Sequence, residues 1–96
     1  MIHSPGHPGW LLAEELAIRK ITVSGAARDL GVSRQTMSRI IHEKQPVTPE
    51  LGAKLGHYFG GGASLWVRMQ AQHDLWHAQR RLAAELEEMP VAPAAG

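Results

Sequence analysis

Thr22-Val23-Ser24-Gly25-Ala26-Ala27-Arg28-Asp29-Leu30-Gly31-Val32-Ser33-Arg34-Gln35-Thr36-Met37-Ser38-Arg39-Ile40-Ile41 decides the fold of this 96-residue chain. Thr22 or Ser24 is placed to cap a helix running to about Leu30. Gly31 then ends it, because glycine enters the left-handed conformation at little cost. Ser33 caps the next helix, from Arg34 to about His42. Two short helices crossing steeply need a small residue where they touch, and Ala27 supplies it. They need a sharp turn four positions later, and Gly31 supplies that. Leu30, Val32, Met37, Ile40 and Ile41 are the apolar residues that lock one helix onto the other. Residues 22–42 therefore read as a helix-turn-helix.

A helical hairpin with no nucleic-acid role would occupy the same structural positions, so the outward face of the second helix discriminates. With Met37, Ile40 and Ile41 turned inward, Arg34, Gln35, Ser38 and Arg39 point outward and Thr36 lies at the edge. Arginine makes two parallel bonds to guanine, and glutamine does the same to adenine. A merely solvated face would more often carry Glu and Lys. Ser33 can donate to a phosphate beside the free N–H groups of its helix N-terminus. Arg28 and Lys44 flank this surface and can reach the phosphate backbone. The net charge of +1 hides the distribution behind it. Between Arg19 and Lys44 stand six basic residues (Arg19, Lys20, Arg28, Arg34, Arg39, Lys44) against two acids, Asp29 and Glu43. Glu14, Glu15, Asp74, Glu85, Glu87 and Glu88 lie outside that stretch. A local basic patch attracts polyanions even on a nearly neutral chain.

Outward from this centre the pattern stays helical. Pro8, Leu12 and Leu16 indicate a first helix over about residues 8–20. Thr48-Pro49-Glu50 opens a helix that runs to about Phe59, and Gly60-Gly61-Gly62 stops it. A long C-terminal helix follows over residues 63–88, about 39 Å at the standard rise. The Pro- and Ala-rich tail 90–96 is expected to be disordered, and residues 1–7 to be irregular. The expected fold class is all-α, a single domain of five helices spanning 1–96. Gly25, Gly52 and Gly56 fall inside predicted helices, where each costs about 1 kcal/mol relative to alanine if exposed. Gly52 and Gly56 share a face, which suggests either close helix packing or a marginal helix.

Composition excludes several classes. Without cysteine there is no disulfide framework and no thiolate metal site. The N-terminus lacks the basic start and apolar run of a signal peptide, and no apolar stretch approaches the roughly 18–20 residues that cross a bilayer. A soluble, cytoplasmic protein is expected. His73 and His77 share a helix face, but no third ligand stands at a fixed spacing, so surface or interface histidines are expected and metal binding is not. No nucleophile triad, no phosphate loop after a strand and no paired carboxylates point to an enzyme, a cofactor or a small-molecule substrate. Trp66, Met69, His73 and Trp76 form a stripe at spacings of three and four. Trp66 is expected to pack within its own chain. Trp76, about 15 Å further on, is expected with Met69 and His73 in a dimer interface. Trp10 lies about 160° from Leu12 on the first helix, so it should face solvent and is a candidate partner contact.

The chain resembles the HigA-type antitoxins, a branch of the Cro/CI-like (XRE) helix-turn-helix proteins. The resemblance covers about residues 7–79. It rests on His7-Pro8-Gly9, Leu30-Gly31-Val32-Ser33-Arg34-Gln35-Thr36, Ile40-Ile41, Pro46-Val47-Thr48-Pro49-Glu50-Leu51, Leu65-Trp66, Met69-Gln70 and Asp74-Leu75-Trp76, in that order. It implies a homodimer on a palindromic double-stranded operator. It also implies autorepression of an operon and a HigB-like toxin partner that cleaves mRNA; the exposure expected for Trp10 makes that residue the candidate toxin contact. Two departures stand out. Val23 occupies the place where the family usually has a phosphate-clamping Gln, and Trp10 replaces a usually polar residue. A stand-alone, phage-like repressor with no toxin partner is the alternative, and an interaction module that has lost DNA binding is a third reading. Arg34, Gln35 and Arg39 argue against the last.

Overall fold

Pro8 opens the first helix because the N–H it lacks would have had no intrahelical partner there. The computed structural model describes residues 6–95, so residues 1–5 of the expected irregular start and Gly96 of the tail lie outside the described residues. Five helices follow in order: α1 (Pro8–Arg19), α2 (Val23–Leu30), α3 (Arg34–Ile41), α4 (Pro49–Phe59) and α5 (Ser64–Glu88). The fold is all-α as expected, with no strand among the described residues. Residues 90–95 are exposed and carry no regular structure.

Local chemistry accounts for the helix ends. Thr22, Ser33 and Thr48 cap α2, α3 and α4 by accepting the N–H of Gly25, Thr36 and Leu51. Three helices close with the same paired bonds from a left-handed residue and the one after it. Lys20 and Ile21 donate to Ala17 and Leu16, Gly31 and Val32 to Arg28 and Ala27, and Glu43 and Lys44 to Ile40 and Arg39. Only the second uses glycine. Lys20 and Glu43 hold φ of 57° and 58° with side chains attached.

The core runs through all five helices. Leu12 and Leu16 of α1, Ala26, Ala27 and Leu30 of α2, and Met37 and Ile40 of α3 are buried together with Val47, Leu51, Leu55 and Trp66. Each of the large side chains contributes about 1.5–3 kcal/mol by leaving water. Trp66 packs within its own chain, stacked on Phe59 at 5.9 Å. The shared face of Gly52 and Gly56 is a close helix contact. A Cβ on Gly56 would run into the backbone of Gly62 and Ala63, and one on Gly52 would press on Val67 Cγ2 at 2.9 Å. Only the first half of α5 lies on the core. Residues 79–95 are all exposed, and the helix extends a molecule of 54 × 32 × 22 Å.

Candidate nucleic-acid interface

The cap of α3 shapes the surface it presents. Ser33 Oγ accepts the Thr36 N–H at 3.0 Å and donates its own proton to Thr36 Oγ1 at 2.8 Å. Sequence reading treats Ser33 as a phosphate donor. In the free chain its proton is engaged, and the Thr36 hydroxyl proton is the one without a partner among the described residues. Serine and threonine thus form one donor unit at the helix N-terminus, where unpaired N–H groups also favour an anion.

Arg34, Gln35 and Arg39 are exposed, while Thr36 and Ser38 are half-buried at the edge. Met37 and Ile40 are fully buried, and their anchoring sets this outward face. Arg28 on α2 and Lys44 after α3 are exposed beside it. None of Arg28, Arg34, Arg39 and Lys44 forms an ion pair among the described residues. Arg19 behaves differently. Its Nε donates to Glu15 at 2.8 Å, its Nη2 donates to the Phe59 carbonyl at 3.0 Å, and its guanidinium lies over the Phe59 ring. Its charge is used to tie α1 to the end of α4, so it drops out of the basic patch counted from sequence.

Two supports of α3 were not apparent in the sequence. His42 Nδ1 donates to the Ser38 carbonyl at 2.8 Å, which ties the last turn of α3 to the ring beyond it. Gln70, buried on α5, accepts the Val47 N–H at 2.8 Å and donates to Asp74 at 2.9 Å. It fixes the segment leaving α3 to the long helix. Its signal is a lone polar residue one turn after Trp66 on an inward face.

The histidines divide. His7 is buried rather than at the surface or an interface, because its Nδ1 caps α1 by accepting the Gly9 N–H at 2.9 Å. Burial and the neighbouring His73 hold its pKa below the ordinary histidine value. Its ring meets His73 edge-on at 4.9 Å, and His73 meets His77 at 4.4 Å. No group of three such side chains among the described residues could hold a metal ion. Met69, His73 and Trp76 are half-buried within their own chain, with Arg80 stacked over the Trp76 ring at 4.5 Å. Trp10 is 49% exposed, with Gly6 against its indole. No helix among the described residues is long and apolar enough to cross a membrane.

No family model matches the chain. Virulence-associated protein I of Dichelobacter nodosus is 35% identical over 75 residues, covering 77% of this chain and 69% of that protein. The crystal structure of an antidote protein of a plasmid maintenance system from Nostoc punctiforme superposes with a TM-score of 0.82 at 33% identity, over 94% of this chain and all of that one. The Pseudomonas aeruginosa antitoxin HigA, solved with the higBA promoter, superposes with a TM-score of 0.84 at 29% identity, over 95% of this chain and 99% of that one. A chain of five helices whose α3 presents Arg34 and Arg39 to solvent, and whose solved relatives align over nearly its whole length, belongs to the HigA-type antitoxin branch of the Cro/CI-like helix-turn-helix family.

Proposed function

We propose that this protein is the antitoxin of a type II toxin-antitoxin pair. As a homodimer it binds operator DNA and represses its own operon, and it neutralises an mRNA-cleaving toxin of the HigB kind. The observation that carries the DNA reading is the outer face of α3, where Arg34, Gln35 and Arg39 are exposed on a capped, core-anchored helix and the two arginines have no ion pair among the described residues. Arg34 and Gln35, in the first turn, are the base readers. Arg39 and Ser38 continue the face, while Ser33 with Thr36, Arg28 and Lys44 hold phosphate. A promoter-bound relative of the same fold supports this assignment. Trp10, exposed near the start of α1, is the proposed toxin contact. The function is stoichiometric binding and involves no catalysis, and its place is the cytoplasm, where operator and ribosome both are.

Titration of Arg34→Ala against operator and scrambled duplex tests the central claim. Binding to the operator is expected to weaken by about 1–3 kcal/mol while scrambled DNA binds nearly as before. Equal losses on both duplexes would reject base reading by Arg34. Co-purification with the product of the adjoining gene tests the toxin arm.

A further inference from the structure

Three segments meet on one buried ring. His7 is 3% exposed, and its Nδ1 accepts the Gly9 N–H in the first turn of α1. Nε2 therefore carries the proton of the neutral ring. Against the burial that lowers its pKa, the backbone of Gln45 favours a proton on the ring, as a carbonyl accepting from that nitrogen does. The third neighbour is His73 of α5, met edge-on. Beside this contact Gly9 is packed on the end of α3, where a Cβ would run into the Ile40 carbonyl. That carbonyl accepts the Glu43 N–H as α3 closes.

The segment reached in this way is the one that carries Lys44. Glu43 and Lys44 are tied back to Ile40 and Arg39, and Val47 is tied to Gln70. Between these ties Gln45 and Pro46 form no backbone–backbone hydrogen bond among the described residues, and Pro46 has no N–H to give. The His7 ring is what holds the chain there. Lys44 is exposed and Gln45, the next residue, is half-buried, so this anchor lies one peptide from the cation.

We propose that His7 is a positioning residue for DNA binding, fixing segment 43–47 so that the Lys44 ammonium meets phosphate while α3 lies in the groove. This rests on the DNA reading above and adds to it a buried residue that touches no nucleic acid. A phosphate contact sets register only if its cation is held in fixed relation to the recognition helix. A lysine on an unanchored segment would lose chain entropy on binding, and that loss would offset the contact. His7 removes it in advance, from the first turn of α1.

Titration of operator and scrambled duplex at several salt concentrations tests the proposal, with circular dichroism to confirm folding of each variant. Asparagine places an acceptor where Nδ1 stands but does not reach as far as Nε2, so His7→Asn keeps the cap of α1 and drops the tie to Gln45. It is expected to weaken both duplexes alike and to lower the salt slope by about one, as Lys44→Ala does. His7→Asn added to Lys44→Ala is expected to change nothing further, because both act through the same contact. Glutamine reaches the place of Nε2, and His7→Gln is expected to keep the wild-type slope. A wild-type slope in His7→Asn, a loss that adds in full to that of Lys44→Ala, or a slope lowered equally in His7→Gln would each overturn the positioning role and leave the DNA reading standing. An unchanged slope in Lys44→Ala would also overturn it, with base reading by Arg34 still to be judged from Arg34→Ala. A wild-type chain that binds neither duplex would overturn both the role of His7 and the DNA reading.

Discussion

Proton uptake by one side chain bears on the start of α1. His7 caps that helix in its neutral form, with Nδ1 as acceptor, and a proton placed there would turn a donor toward the Gly9 N–H. Burial and His73 lower its folded pKa from 6.5, so the folded chain takes up this proton less readily than the unfolded one. The sign follows from linkage. His7 contributes stability that is complete above the unfolded value and is lost as pH falls below about 6.5 toward the folded value. His7→Asn keeps a capping acceptor that does not titrate. Urea midpoints at pH 7.5 and 5.5 should fall more for the wild type than for His7→Asn. Identical pH slopes would remove His7 from the account. The DNA face is also a matter of single residues. Lys44→Ala should weaken operator and scrambled duplex alike and reduce the salt slope by about one, the signature of a phosphate contact. A selective loss on the operator would instead make Lys44 a base reader.

Among the elements, the joint between α4 and α5 has the least room. Gly56→Ala would drive a methyl into backbone at Gly62 and Ala63, which the Gly60-Gly61-Gly62 turn holds in place, whereas Gly52→Ala meets only the end of the Val67 side chain. Overpacking against backbone should cost about 1–3 kcal/mol, and Gly52→Ala should cost less, since Val67 can shift. Chemical denaturation of both variants checks the order, and equal costs would mean that the turn yields. The same contrast explains what the sequence made legible. Helix starts written in local chemistry, at Thr22, Ser33, Thr48, Pro8 and Pro49, were readable, as was the turn at Gly31. Leu12, Met37, Ile40 and Trp66 were readable as core from their spacing. The ends of α1 and α3 were readable to within a residue or two, but their left-handed closures at Lys20 and Glu43 were not, because a non-glycine residue is held in that conformation by the bonds and packing around it. The roles of His7, Arg19 and Gln70 were hidden for a related reason. Each depends on a partner brought close only by the folded chain, such as His73, Phe59 or Val47. The outward residues of α3 were legible because Met37 and Ile40 fix its rotation.

For the molecule as a whole, the proposed function asks for three surfaces: DNA on the outer face of α3, a second copy along α5, and a partner protein at the exposed start of α1. Two α3 helices presented to one side of a duplex require half-sites about one turn, ~34 Å, or a multiple of it apart, so footprinting should find an inverted repeat. A single unrepeated site would contradict the dimer. Trp10 tests the third surface. A tryptophan half in water is an amphipathic, low-entropy contact of the kind that anchors interfaces. It is not among the core residues, so its removal should leave the fold standing. It also lies on α1 rather than on α3 or α5, so the other two surfaces should work without it. Trp10→Ala is therefore expected to keep the circular dichroism spectrum, the dimer mass and the operator affinity of the wild type, and to lose toxin neutralisation in a growth assay. Neutralisation at the wild-type level would place the toxin elsewhere on the molecule. Loss of folding would show instead that the indole, covered on one side by Gly6, belongs to the packing of the N-terminal segment.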